Sequence, residues 1–216
     1  MKKILSVFLL VASSGCATTA NIPLQKSAQA KIDGAAVVST KRAAPDFLAH
    51  TYGKAVFGLV GVALMVAEGN ALVKEHELKD PAPEISEALL GRLVLTRGIK
   101  ALEASKASVS EDPKAVAMEH GSSEFVLDIQ SKGWGFVFAP LDPFRYRVNY
   151  SARMRLIEVA SKSVVAEINC ASVQGEDSNL PTKDQLLENG ASLLKTKLSL
   201  AASTCVEMFA REGLAL

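Results

Sequence analysis

The sequence has almost no surplus charge of either sign, few aromatic residues and no long apolar run, and each shortage removes a class of function. Lysine and arginine number 24 against 23 acidic residues, so the basic excess of a nucleic-acid-binding surface is missing. No apolar stretch approaches the ~20 residues that a bilayer-spanning helix needs. Aromatics are only 6% of the chain, too sparse for a stacking platform. The three histidines, His50, His76 and His120, stand far apart, and none has metal-ligand spacing. "KEHEL" contains His76 and Glu77 but lacks the second histidine of a zinc-binding helix. There is no G-x-S-x-G elbow, and "GLVGVA" lacks the Gly-Lys-Ser/Thr of a phosphate loop. No metal site or cofactor is expected, and no catalytic residue is nominated. A hydrolase would need a site assembled from distant positions.

What is present begins at the N-terminus. Lys2 and Lys3 precede an apolar segment from Ile4 to Ala12, followed by Ser13, Ser14 and Gly15. A charged start, a short apolar core and small residues describe a secretory signal peptide over residues 1–15. Cys16 comes next, and Ser14, Gly15 and Cys16 together resemble the lipobox of bacterial lipoproteins. Ser13 departs from that pattern, where leucine is usual. The resemblance implies cleavage before Cys16, a thioether-linked diacylglycerol on its sulfur and acylation of the new amino group. It also implies a Gram-negative envelope, and Ala17, standing where aspartate would signal inner-membrane retention, points to the periplasmic face of the outer membrane. Two or more acyl chains, at ~0.8 kcal/mol per methylene, hold a protein on a bilayer essentially permanently. The alternative is an ordinary signal peptide with an incidental cysteine.

Two of the three cysteines remain, Cys170 and Cys205. In an oxidising compartment an even pair forms a disulfide, with two buried free thiols as the alternative. Residues 16–33 are small and polar with no period, and read as the lipidated cysteine and a flexible tether. About 17 residues of random chain span roughly 20–25 Å. Residues 34–216 are then one folded domain.

Within that domain, residues 34–40 read as a strand. Residues 55–67 carry no charge and include Gly58 and Gly61. That stretch is either a buried core helix or an exposed apolar surface that docks on a bilayer or a partner. Residues 80–98 form a better helix, with Asp80 to cap it, Pro81 at its start and Gly98 at its end. Ile85, Leu89 and Leu93 make its apolar stripe. Residues 99–109 hold a further strand. From Glu124 the period becomes two: strands are expected before and after a turn-like "SKG" at residues 131–133. The strand that follows "APLDP" gives the cleanest pattern. Tyr146, Val148, Tyr150, Ala152, Met154 and Leu156 alternate with Arg145, Arg147, Asn149, Ser151, Arg153 and Arg155, as a strand with one buried face requires. Residues 164–170 repeat the inward pattern. A closing helix over 183–211 aligns Leu187, Ala191, Leu194, Leu198, Ala201, Cys205 and Phe209. Cys170 and Cys205 thus face one interior. The expected fold is α+β, an antiparallel sheet with helices packed on one face, in a single periplasmic domain.

This order of elements resembles the small periplasmic α+β domains of the curli-assembly lipoprotein and of the N-terminal domain of the Tol-system β-propeller protein. "DPAPEISEALLGRL" after an early strand and "YRVNYSARMRLIEVASKSVVAEI" as a long hairpin carry that resemblance, which implies assembly or scaffolding work. Three readings of function follow. The first is a lipid-anchored, non-enzymatic accessory or scaffolding subunit acting through contacts with an envelope protein. The second is a module that binds anionic glycolipid or peptidoglycan through Arg145, Arg147, Arg153 and Arg155. Against it stands the plain need of an exposed sheet face for polar residues, balanced by acids such as Glu124 and Asp128. The third is a hydrolase with a dispersed site. Radiolabelled palmitate is expected to label the wild type and not a Cys16→Ala variant; equal labelling of the two would remove the anchor.

Overall fold

The computed structural model describes residues 21–175 and 179–216. The signal segment and Cys16 lie outside the described residues. In chain order the elements are α1 (Lys26–Ile32), β1 (Ala36–Lys41), β2 (Phe47–His50), α2 (Tyr52–Ala55) and α3 (Gly58–Glu75). There follow α4 (Ala82–Arg97), β3 (Lys100–Ala107), α5 (Pro113–Glu119), β4 (Phe125–Ala139), β5 (Asp142–Glu158), β6 (Ser163–Gln174) and α6 (Lys183–Met208). A π-helical turn, Phe209–Leu214, closes the chain.

The α+β class holds, but the sheet is mixed rather than antiparallel. Its order is β3-β1-β4-β5-β6, with β2 also on β4. β4, β5 and β6 form consecutive antiparallel hairpins, whereas β1 runs parallel to β3 and β4, and β2 parallel to β4. Parallel partners need a crossover, and the chain between β1 and β4 supplies it through α3, α4 and α5. The "SKG" segment is no turn. It is a bulge between Ser131 and Gly133 inside one continuous strand β4.

The main core lies on one face of the sheet. Leu127, Ile129, Tyr150, Met154, Ile168 and Cys170 meet α1, α4 and α6 there. Helix α4 ends as its sequence requires, with Gly98 left-handed (φ 63°) and its N–H donated to the Val94 carbonyl, while Ile85, Leu89 and Leu93 are buried. Thr182 and Gln185 cap each other at the start of α6. That helix kinks at 188–191, where Asn189, Gly190 and Ala191 are left-handed. The kink moves the buried position from Leu187 to Leu186, and the regular stripe starts only at Ala191. Helices are not confined to one face either. α5 covers the other, where Val116 and Ala117 meet Val38, Val126 and Ile157 in a second small core.

Two further expectations are corrected. Residues 21–33 are not a tether: Ile22 pairs with Glu167 on β6, and α1 buries Ala28 and Ile32. Only residues 17–20 remain between Cys16 and the folded body. The stretch 55–67 is not a core helix. Helix α3 buries only Gly61, Met65, Gly69 and Leu72, because it lies directly on backbone. A Cβ at Gly61 would strike the Lys54 carbonyl, and one at Gly69 the Phe47 carbonyl. Close approach of the small face sends the large residues, Leu59, Val60, Val62 and Leu64, to the outside.

Cys170 and Cys205 are bonded, with Cα atoms 5.6 Å apart, so β6 is stapled to α6 across a separation of 35 residues. A loop of that length predicts that Cys170→Ala with Cys205→Ala loses about 3–4 kcal/mol in urea unfolding. An unchanged midpoint would contradict it.

Candidate functional site

The four arginines of β5 share one face of the strand, and the structure gives them three different environments. Arg155 is 3% exposed beneath the segment leading into α5. Its Nε and Nη2 donate to Asp128 Oδ2 at 3.0 and 2.7 Å, and its Nη1 donates to the Glu111 carbonyl at 2.9 Å. The cross-strand register that sets Asp128 opposite Arg155 makes this pair unavoidable. Arg42, just past the end of β1, adds a second guanidinium: its Nε donates to Asp128 Oδ1 at 2.5 Å, beside the Thr40 hydroxyl at 2.8 Å. Burial opposes ionisation of Asp128, but the bonds and charges of Arg42 and Arg155 outweigh it and hold the carboxyl below its ordinary range.

Arg153 lies one step outward. Its Nη2 donates to Glu111 Oε2 and Gln130 Oε1, both at 2.9 Å. Hydrogen bonds from Gln130 and Lys132, with Arg153 adding to them, depress the Glu111 pKa to about 2. Arg145 and Arg147 stand at the far end of β5, where they border a polar cleft of about 410 Å³ with Asp142, Asn179 and Leu180. Arg145 donates to the Leu180 carbonyl at 3.0 Å. The sheet therefore offers no single row of four guanidiniums to a ligand. Of the two acids expected to balance the row, Asp128 does so, while Glu124 accepts from the Ala36 N–H on β1.

The histidines do not converge. His120 Nε2 lies 3.0 Å from the Ser108 hydroxyl, a spacing fit for a nucleophile and its base. Both residues are buried, and neither lines any of the three clefts described here. Burial lowers the His120 pKa. Among the described residues, no group of three His, Cys, Asp or Glu side chains could hold a metal ion.

Two larger clefts flank α4. One of about 830 Å³ lies against α6 and is edged by Glu77, Asp80, Glu84 and Lys195. Asp80 accepts from the Ser131 hydroxyl, which also meets the Tyr150 hydroxyl at 2.8 Å, and burial raises the Asp80 pKa. The other, of about 720 Å³, opens between α4 and the edge strand β3. Its lining includes the apolar Leu90, Val94, Ala101 and Ile129, the hydroxyls of Thr40 and Ser86, and the charged Lys41, Glu87 and Glu103. Sequence reasoning missed this cleft, although α4 carries a signal for it. Leu90 and Val94 form a second apolar stripe, four residues apart and off the Ile85–Leu89–Leu93 line.

No family model matches the chain, and no curated protein matches its sequence. Among solved structures it is similar to the PelC dodecamer protein of Paraburkholderia phytofirmans, at 11% identity over 90% of this chain and 96% of that one, with a TM-score of 0.40. It is similar also to lipoprotein GNA1162 of Neisseria meningitidis, at 17% identity over 82% and 99% of the two chains, with a TM-score of 0.30. The LpoB C-terminal domain of Salmonella enterica is a third, at 10% identity over 66% and 84%, with a TM-score of 0.26. At such scores the likeness decides neither the topology nor the function of this chain.

The Asp128 cluster yields a prediction with a definite sign. Because its folded pKa is depressed, the Asp128 carboxylate stabilises fully above the unfolded value of about 3.9. That contribution is lost as pH falls through the lower folded value. Asp128→Asn leaves two buried guanidiniums facing no charge and should cost about 3–5 kcal/mol at neutral pH. Denaturant unfolding as a function of pH checks both statements. The variant should lack the part of the acid limb that the wild type owes to this group.

Proposed function

We propose that this chain is a lipid-anchored, non-enzymatic protein of the outer membrane's periplasmic face. It serves there as an accessory or scaffolding subunit by holding another envelope protein. The observation that carries the reading is the 720 Å³ cleft between α4 and β3. Its lining is mostly apolar and includes charges of both signs, and its outer wall is a strand with no neighbour on its far side among the described residues. Such an edge accepts extended chain, and the adjoining apolar floor accepts side chains from it. Assembly work is also what the resemblance to the curli-assembly and Tol-system domains implies.

A second reading rests on the other end of β5. Arg145, with nearly half of its side chain exposed, borders a polar cleft together with Arg147, a setting suited to the phosphate or carboxylate of a glycolipid or peptidoglycan stem.

A photo-cross-linking residue in place of Val94 tests the first reading in intact cells. One discrete protein adduct is expected from that position and none from Met118, which is exposed on α5 across the sheet. The adduct should fade when Leu90→Glu is added. Equal background from both positions would defeat the proposal.

A further inference from the structure

A group of exposed large apolar residues lies at one end of the molecule, apart from scattered ones such as Leu95, Val109, Met118 and Leu200. Register defines that end: Ala49 on β2, Phe136 on β4, Val148 on β5 and Gln174 on β6 lie in one row across the sheet. Beyond the row come α2, the start of α3 and the β4–β5 turn. Ring contacts of Tyr52 and His50 with Phe138, each at 5.5 Å, pack these pieces together. From them Val56, Phe57, Leu59 and Val60 project on one side and Leu141 and Phe144 on the other, with Leu59 90% and Leu141 100% exposed. An apolar end of this kind on a folded domain marks a contact with something apolar. None of the helices among the described residues is long and apolar enough to cross a membrane.

The N-terminal segment says what covers it. Gln25 and Ile22 donate their N–H groups to the carbonyls of Val165 and Glu167, and Asn21 accepts from the Asn169 N–H. Followed backwards from 25 to 21, the chain thus runs antiparallel along β6 toward Gln174, that is, toward the apolar end. Four residues lie between Asn21 and Cys16, which makes five Cα–Cα steps. Their greatest reach, about 17 Å, equals the rise of the five residues from Asn169 to Gln174 along β6. An acyl chain on Cys16 can therefore reach the row beyond which the apolar residues lie.

We infer that this end, Tyr52 to Val60 with Leu141 and Phe144, enters the headgroup–acyl boundary of the same leaflet that holds the acyl chains. The inference rests on acylation of Cys16 as proposed above. Apolar residues at the start of α3 sit at the depth of the headgroup–acyl boundary, as in interfacial helices. The lipid anchor retains the protein, and the apolar end fixes which way it stands.

The acylated full chain, reconstituted in phosphatidylethanolamine–phosphatidylglycerol vesicles, tests this through an indole introduced by Phe57→Trp. The native Trp134 is buried and supplies a constant background. Lipids brominated on their acyl chains should remove most of the added emission, and aqueous iodide little of it. An indole from Val109→Trp, exposed before α5, should behave in the opposite way. Adding Leu59→Asp and Val60→Asp, both at exposed positions that the fold tolerates, should abolish the bromolipid effect while the anchor persists. Palmitate labelling of the same samples separates the two proposals. Label without bromolipid quenching overturns the inference and leaves the anchor standing. Quenching without label keeps the membrane face and removes the anchor. Shielding from iodide in whole envelopes but not in vesicles means that a protein covers this end, and overturns the inference as well.

Discussion

Strand β4 takes β5 along the whole of one edge, and along the other it takes two separate strands, β1 near its start and β2 near its end. The bulge at Ser131–Gly133 falls between these two pairings, and it is the place where the edge changes partner. Both features on which function depends follow from that division. β1 brings Thr40 and Arg42 to Asp128 and forms the inner wall of the α4–β3 cleft. β2 holds α3 at the opposite end through the approach of Gly69 to the Phe47 carbonyl, and Gly61 of α3 meets α2 at the Lys54 carbonyl. A shift of β4 by one residue would turn Asp128 into the main core and Leu127 out of it. No other strand is tied to as much of the molecule.

The charge cluster on the second face explains why an arginine-rich strand is not an open anion site. Asp128 and Arg155 are removed from water, and removal of either partner would leave a buried charge alone. Such a pair adds little net stability over an apolar pair of the same volume. It does set the register of β4 against β5, since only one alignment satisfies Asp128 from both Arg42 and Arg155. Arg153 and Lys132 then close on Glu111, which ties the loop before α5 to the sheet. The guanidiniums of the middle of β5 serve the fold. Those at its end, next to the polar cleft, stand outside this network.

Much of this was legible in the sequence where a period is set by a single buried face. β5 alternates as read and so does β6 from Ala166 to Cys170, although a bulge puts Val165 in the main core and Val164 against the second. The α4 stripe of Ile85, Leu89 and Leu93 is buried, and Cys170 and Cys205 meet. The parallel pairs were not legible, because β1 and β2 are short and their partners lie across long crossovers that no local pattern announces. β2 has four residues, too few for a period. In α6 the stripe was carried one turn too far, through Leu187, since nothing in the spacing marks three consecutive left-handed residues. Residues 21–33 look polar and aperiodic because α1 buries only Ala28 and Ile32, one small residue and one large. Helix α3 was left open between core and surface, and the surface alternative holds. Its apolar content pointed to the core, yet its glycines decided the orientation, because only they could approach the backbone of Lys54 and β2. Of the candidate site, the arginine face was legible as a face, but its burial was not. That depended on Arg42 and Glu111, which belong to distant elements.

A lipid on Cys16 and an apolar end on the body have different physical consequences. Acyl chains supply binding energy in proportion to their methylenes, but attachment at a single point does not fix the tilt of the body. A second contact at one end of the sheet removes most of that freedom and stands the strands up from the membrane. The register then sets the height of the cleft. Ser39, on its wall, pairs at Leu127, and Ala49, in the row at the apolar end, pairs at Phe136. Along β4 that interval is about 25–30 Å, more than the depth of a headgroup layer. On the proposed anchoring, the cleft between α4 and β3 would be held clear of lipid and open to a periplasmic partner. With the apolar end free in water instead, the cleft would have no fixed height or direction.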